Sequence, residues 1–116
     1  MSTEELCRRA RLTPREVQWW CEKRIVPFKI IGKKRFFEDS DALVAMTVAE
    51  LRRKGVGLEQ IRRMPLRKLE KEFLVAVHGY RKYRWCTEAE LIPFLKQAPG
   101  PCLVVAVADL RRQLYE

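Results

Sequence analysis

Between Thr13 and Arg35 the chain concentrates side chains suited to gripping a polyanion and reading its edges. They are Arg15, Gln18, Trp19, Lys23, Lys33, Lys34 and Arg35. The Gln18 carboxamide can pair with an adenine edge or bond a phosphate, and Arg15 can reach either. An indole N–H such as that of Trp19 can donate to a phosphate oxygen. Lys33, Lys34 and Arg35 suit phosphate or minor-groove contacts better than base reading. Thr13 enters as the cap that sets the start of the helix carrying the others.

Bond-making chemistry finds less material. His78 is the single histidine. A cysteine–histidine dyad with Cys86 or Cys102 lacks a third orienting group and a Gly-rich anion hole, so no catalytic residue is expected. Cys7, Cys21, Cys86 and Cys102 are far apart with no Cys-x-x-Cys pair, which argues against a metal site. They read as reduced thiols, mostly buried, and no cofactor is expected.

Local signals indicate the elements that must position these groups. Ser2 with Glu5, and Thr13 with Glu16, have capping-box spacing, and Pro14 suits a first helical position. Helices are predicted over 3–11 and 14–23, the second burying Val17, Trp20 and Cys21 at i, i+3 and i+4. Trp19 and Trp20 are adjacent, so they cannot share a face: Trp20 goes to the core and Trp19 outward. Pro27 prevents helix continuation. Phe28–Ile31 and Arg35–Phe37 read as two short strands around a basic turn, Gly32-Lys33-Lys34-Arg35. Glu38-Asp39-Ser40-Asp41 caps a third helix that buries Leu43, Val44, Val48 and Leu51 and stops at Gly55. A fourth, over 57–64, turns Leu58, Ile61 and Met64 inward.

Beyond Pro65 the character changes. A charged helical piece over 66–72 precedes a strand, Phe73–Val77, a turn at His78-Gly79 and a strand of alternating aromatic and basic residues, Tyr80–Cys86. One packed and one solvated face is the favoured reading of that alternation over base stacking. Thr87 with Glu90 caps a helix to about Ala98, Cys102–Ala108 is an apolar strand, and Asp109 caps a last helix over 110–115. The order is β-β-α-β-α.

Composition sets limits. The 116 residues are 47% hydrophobic and 34% charged, enough for a packed core and a charged surface. The net charge is +9, with 15 Lys/Arg against 9 Asp/Glu in residues 1–65 and 9 against 6 in residues 66–116. Clustered positive charge favours nucleic acid, although cations also merely solvate helix faces. No apolar run reaches membrane-spanning length and the N-terminus has no hydrophobic signal segment, so the expected location is cytoplasmic and no membrane partner is expected.

In this order the parts resemble the DNA-binding domain of the MerR family of bacterial transcriptional regulators. Gln18-Trp19-Trp20-Cys21 stands where the family has an Arg-Tyr-Tyr-Glu-like run, and Arg24-Ile25-Val26-Pro27 stands at its Gly-Leu-x-Pro-like exit. Lys34–Asp41 takes the place of its wing motif, and Leu51–Ile61 that of its Leu-Arg-x-x-Gly-x-Ser-Leu-Glu-Glu-Ile run. The resemblance covers about residues 2–64. Gln18 stands for Arg, Trp19 and Trp20 for tyrosines, and Arg24 for Gly. An Arg in a left-handed position costs ~1 kcal/mol relative to Gly, so a reshaped helix exit is expected.

The expected fold is mainly α with small β: a MerR-like winged helix-turn-helix over 1–65, then a small α/β appendage over 66–116. The resemblance implies a non-enzymatic, sequence-specific binder of double-stranded DNA. The helix at 14–23 is expected in the major groove, with Thr13, Arg15, Gln18, Trp19, Lys23, Lys33, Lys34 and Arg35 as the DNA-binding residues. The expected partners are duplex DNA, a second copy of the chain and RNA polymerase at a promoter. Dimerisation is expected through residues 66–116, because the tail helices can cover only one face of a sheet built on the apolar strands Phe73–Val77 and Cys102–Val107. A coiled coil is not expected, since no heptad pattern persists through Gly79, Pro93 and Pro99. The competing arrangement folds the tail onto the third and fourth helices of a monomer. Rival functions are an excisionase-like architectural DNA binder and a protein-interaction module using the aromatic hairpin.

Overall fold

The computed structural model describes residues 1–67, 69, 71–77 and 82–115, with the backbone alone at Lys82. The chain opens with α1 (Thr3–Ala10) and α2 (Pro14–Glu22). The Ser2 hydroxyl accepts from the Glu5 amide at 3.1 Å. At the second start both halves of the capping box form: the Glu16 amide donates to Thr13 Oγ1 at 3.1 Å, and the Thr13 amide to the Glu16 carboxylate at 3.0 Å. Arg11 ends α1 in the left-handed region at φ 56°. Arg53 covers that end, donating to the Ala10 and Arg11 carbonyls at 3.1 and 3.4 Å. Carbonyls that α1 cannot satisfy internally are thereby held from another helix.

At the exit of α2 Arg24 itself adopts the left-handed conformation, at φ 60°. The following turn repays the strain: the Ile25 and Val26 amides both donate to the Trp20 carbonyl at 2.9 and 3.2 Å, and both side chains are buried.

Two short strands follow, β1 (Lys29–Ile31) and β2 (Lys34–Phe36), antiparallel with Lys29 opposite Phe36 and Ile31 opposite Lys34. The basic turn is shorter than its sequence indicates. Only Gly32 and Lys33 connect the strands, at φ 59° and 66°, while Lys34 and Arg35 are strand residues. Two consecutive left-handed residues make the two-residue turn whose twist matches a hairpin. Phe37 donates its amide to the Met1 carbonyl at 2.8 Å, and Ser2 bridges to Phe36, so the start of the chain lies along β2.

α3 (Asp39–Arg53) is the central element. Every residue from Ala42 to Ala49 is buried, along with Leu51, a wider surface than the single stripe read from its sequence. The extra faces are covered by α1 on one side and by the last helix on another. α4 (Leu58–Arg62) follows Gly55. Ile61 and Met64 are buried and Leu58 packs partly against the core.

Residues 66–72 are not a helix where they are described. Leu66 is buried directly after Pro65, and Leu69 packs partly against the same core. An irregular path lets both reach the core on the way to the next strand. That strand is β3 (Phe73–Val77), flanked by β4 (Lys82–Cys86) and β5 (Cys102–Ala106) in an antiparallel sheet of order β4-β3-β5. The expected turn at His78-Gly79, along with Tyr80 and Arg81, lies outside the described residues. α5 (Glu88–Gln97) joins β4 to β5, and α6 (Val107–Leu114) closes the chain.

α6 starts earlier than its sequence indicates, and Asp109 is not its cap. Val107 is buried, and the Ala108 amide donates to the Glu72 carbonyl at 3.1 Å, which turns the chain into a helix straight off the strand. Asp109 lies in the first turn and accepts from Arg112 and Gln113 at 3.0 and 2.9 Å. One face of the sheet supplies Leu74 and Val105 to the main core, with Tyr83, Trp85 and Leu103 packed against it. The same core includes Leu6, Trp20, Phe37, Val48, Leu110 and Leu114, so helix-turn-helix and tail share one apolar interior. The molecule is a mixed α/β structure.

Candidate nucleic-acid interface

α2 divides its side chains cleanly. Val17, Trp20 and Cys21 are buried, whereas Arg15, Gln18, Trp19 and Glu22 fall at spacings of three and four on the exposed side. Trp20 is 3% exposed and Trp19 51%, as their adjacency requires. Burial pushes the Cys21 thiol up to about 11, opposed by the Arg35 charge. This thiol stays protonated at neutral pH and supplies no nucleophile.

The eight expected contact residues have different jobs. Thr13 spends its side chain on the cap of α2 and accompanies the interface chiefly by its position. Arg15, Gln18, Trp19 and Lys23 are exposed along or just beyond the outer face of α2. Lys33 stands at the hairpin tip and Lys34 beside it, both exposed. Arg35 differs: it is half-buried, its guanidinium carbon lies 5.2 Å from the Phe28 ring centroid, and its Nε is buried without a partner among the described residues. Stacked there, it braces the hairpin as much as it charges it.

A cleft of about 720 Å³ separates the hairpin from the start of α1, lined by Ser2, Thr3 and Glu4 on one side and Phe28, Ile30, Lys33, Lys34 and Arg35 on the other. Lys29 is tied to Glu38 by an ion pair, and the hydrogen bond to that carboxylate raises the lysine pKa. The hairpin also exposes apolar side chains on both faces, Ile30 at 62% on the cleft side and Ile31 at 59% on the other.

Sequence reasoning left three contributors unassigned. The bracing of β2 by Met1 and Ser2 joins residues more than 30 positions apart and has no local signal. The left-handed Arg24 was legible only as a mismatch with Gly. The third is Glu22, an acid on an otherwise cationic or neutral face, whose Oε1 accepts from Gln18 Nε2 at 3.0 Å. Its place at i+4 from Gln18 was the available signal.

Among the described residues no group of three His, Cys, Asp or Glu is placed to hold a metal, and the four cysteines are free thiols. No described helix is long and apolar enough to cross a membrane. No curated protein and no solved structure matches the chain. The family model described as MerR HTH family regulatory protein matches residues 1–68, more than half of it. With two capped helices in that order and an outward-facing second helix, the chain belongs to the MerR family of helix-turn-helix regulatory proteins.

Proposed function

We propose that this protein is a sequence-specific regulator of transcription. α2 enters the major groove of duplex DNA and the β1–β2 hairpin acts as a wing on the adjacent backbone or minor groove. The observation that carries this reading is the pairing of a capped helix, exposing Arg15, Gln18 and Trp19, with a rigid two-residue turn that lifts Lys33 beside Lys34. Backbone contacts of that kind set register and orientation, while the α2 side chains read base edges. The role is non-enzymatic and cytoplasmic, with RNA polymerase at a promoter as the functional partner. Residues 1–65 act as the reader, and 66–116 as the α/β segment that brings two readers together. Support for such a dimer comes from the sheet's outer strands β4 and β5, and from α5, which has no buried residue and leaves Ile92 55% exposed.

An aromatic-hairpin interaction module has less support. Tyr83 and Trp85 pack partly against the core instead of standing free.

A salt titration of duplex binding tests the reading. Each neutralised phosphate adds about 0.9 to the slope of log affinity against log salt. Lys33→Ala with Lys34→Ala is expected to weaken binding to all duplexes and lower that slope by up to about two. An unchanged slope removes the wing from the interface. Light scattering on the full chain tests the dimer: a monomer that still protects a symmetric operator overturns it.

A further inference from the structure

On the proposed reading surface Glu22 is an anomaly. It lies at the last turn of α2, exposed, on the arc that carries Arg15, Gln18 and Trp19. It makes no ion pair within 4 Å among the described residues, although Lys23 and Arg24 follow it directly. Among the described residues its side chain has one partner, the Gln18 amide, at 3.0 Å. In a groove walled by phosphates an exposed carboxylate is repelled by every sequence alike, unless a base offers it a hydrogen. Only the exocyclic amines of cytosine and adenine point hydrogens into the major groove, and a carboxylate suits the cytosine N4 amine, because adenine sets its N7 acceptor beside the amine.

We infer that Glu22 is a specificity-determining residue: it accepts from a cytosine N4 amine in the major groove, holds Gln18 in position to read the neighbouring base, and rejects duplexes lacking that cytosine. One carboxylate oxygen receives the Gln18 amide, which leaves the other for the cytosine. Gln18 retains a second N–H and its carbonyl oxygen, the donor and acceptor that an adenine edge requires. A guanine or thymine at the cytosine's place turns an acceptor oxygen toward the carboxylate. The residue therefore discriminates mainly by penalising wrong sites, at some expense in general affinity.

The inference rests on α2 entering the major groove, and its test separates the two. Preferred sites are selected from a random duplex library with the full chain, with Glu22→Gln and with Glu22→Ala. Each protein is then titrated against the wild-type site and against a random duplex. The wild-type site is expected to hold a cytosine whose replacement by guanine or thymine weakens binding about tenfold or more. In both variants that preference collapses, and affinity for the random duplex rises. Base preferences unchanged in Glu22→Ala, or weaker binding to the random duplex, overturn the inference. The Lys33/Lys34 double variant runs alongside. If it weakens duplex binding while Glu22→Ala selects the wild-type site, only the role of Glu22 fails. If the wild-type chain binds no duplex, the DNA-reading proposal fails and takes this one with it. Circular dichroism checks that α2 persists in both variants.

Discussion

Trp19 and Trp20 show how one residue step separates interior from surface. Trp20 fills the interior between α2 and the rest of the core, whereas Trp19 leaves half its surface in solvent. Truncating a core aromatic removes transfer free energy and leaves a cavity, so Trp20→Ala is expected to lower stability by about 3–5 kcal/mol in a denaturant titration. Trp19→Ala should stay within about 0.5 kcal/mol of the parent chain while weakening duplex binding. Equal destabilisation by the two changes would falsify the assignment of faces. Arg35 shows the same economy in reverse: a residue of the expected binding set is also a strut, stacked on Phe28.

At the scale of elements, termini decide where helices begin and what they cost. Arg24 keeps α2's exit in the left-handed region although its side chain disfavours that backbone. Arg24→Gly is therefore expected to raise stability by about 1 kcal/mol, read as a higher denaturant midpoint at unchanged slope. A lower midpoint means the arginine side chain contributes more than its backbone costs. The start of α5 carries a pH dependence. Glu90 accepts from Lys71 Nζ at 2.8 Å and from the Thr87 hydroxyl at 3.0 Å. The Lys71 hydrogen bond, followed by those from Thr87, pulls its pKa down to about 2 from an ordinary 4.5. A depressed carboxylate stabilises the fold above its unfolded value. That contribution is present above about pH 4.5 and is lost as pH falls toward 2. Glu90→Gln should flatten the acid limb of a stability-against-pH curve over this window, and an unaltered limb refutes the linkage.

For the whole molecule, the decisive feature is that α3 is enclosed by both halves of the chain. α6 brings Val107, Leu110 and Leu114 into the interior that also holds Leu6, Val17 and Trp20. Leu110→Ala is expected to cost about 2–5 kcal/mol, and, with Trp19 and Trp85 replaced by Phe, the loss should register in the fluorescence of Trp20 as well as in overall helicity. A single transition, coincident by both probes, is the expected result. Two separated transitions show that the helix-turn-helix and the tail unfold independently. The shared core also bears on assembly. One sheet face is committed to α3 and α6, which leaves the outer strands and the surface beside α5 for the dimer proposed above.

Much of the first half was legible because its signals are local. Thr13-Pro14 with Glu16 states a helix start, Val17-Trp20-Cys21 states a buried stripe, and the adjacent tryptophans must point apart. The same local logic placed β3, α5 and the strand of alternating aromatic and basic residues. Contacts between distant residues were not legible. Leu66 and Leu69 leave the helix expected of 66–72 because both are drawn into the core on the way to β3. The start of α6 moves ahead of Asp109 because Val107 is required inside and Glu72 captures the Ala108 amide. α3 is buried over most of its circumference because the tail supplies a second wall. Capping, periodicity and turn chemistry reside in neighbouring residues and were therefore determined by the sequence itself. Which faces are enclosed, and which cations become struts, depends on side chains far apart in the chain, and only the tertiary structure decided them.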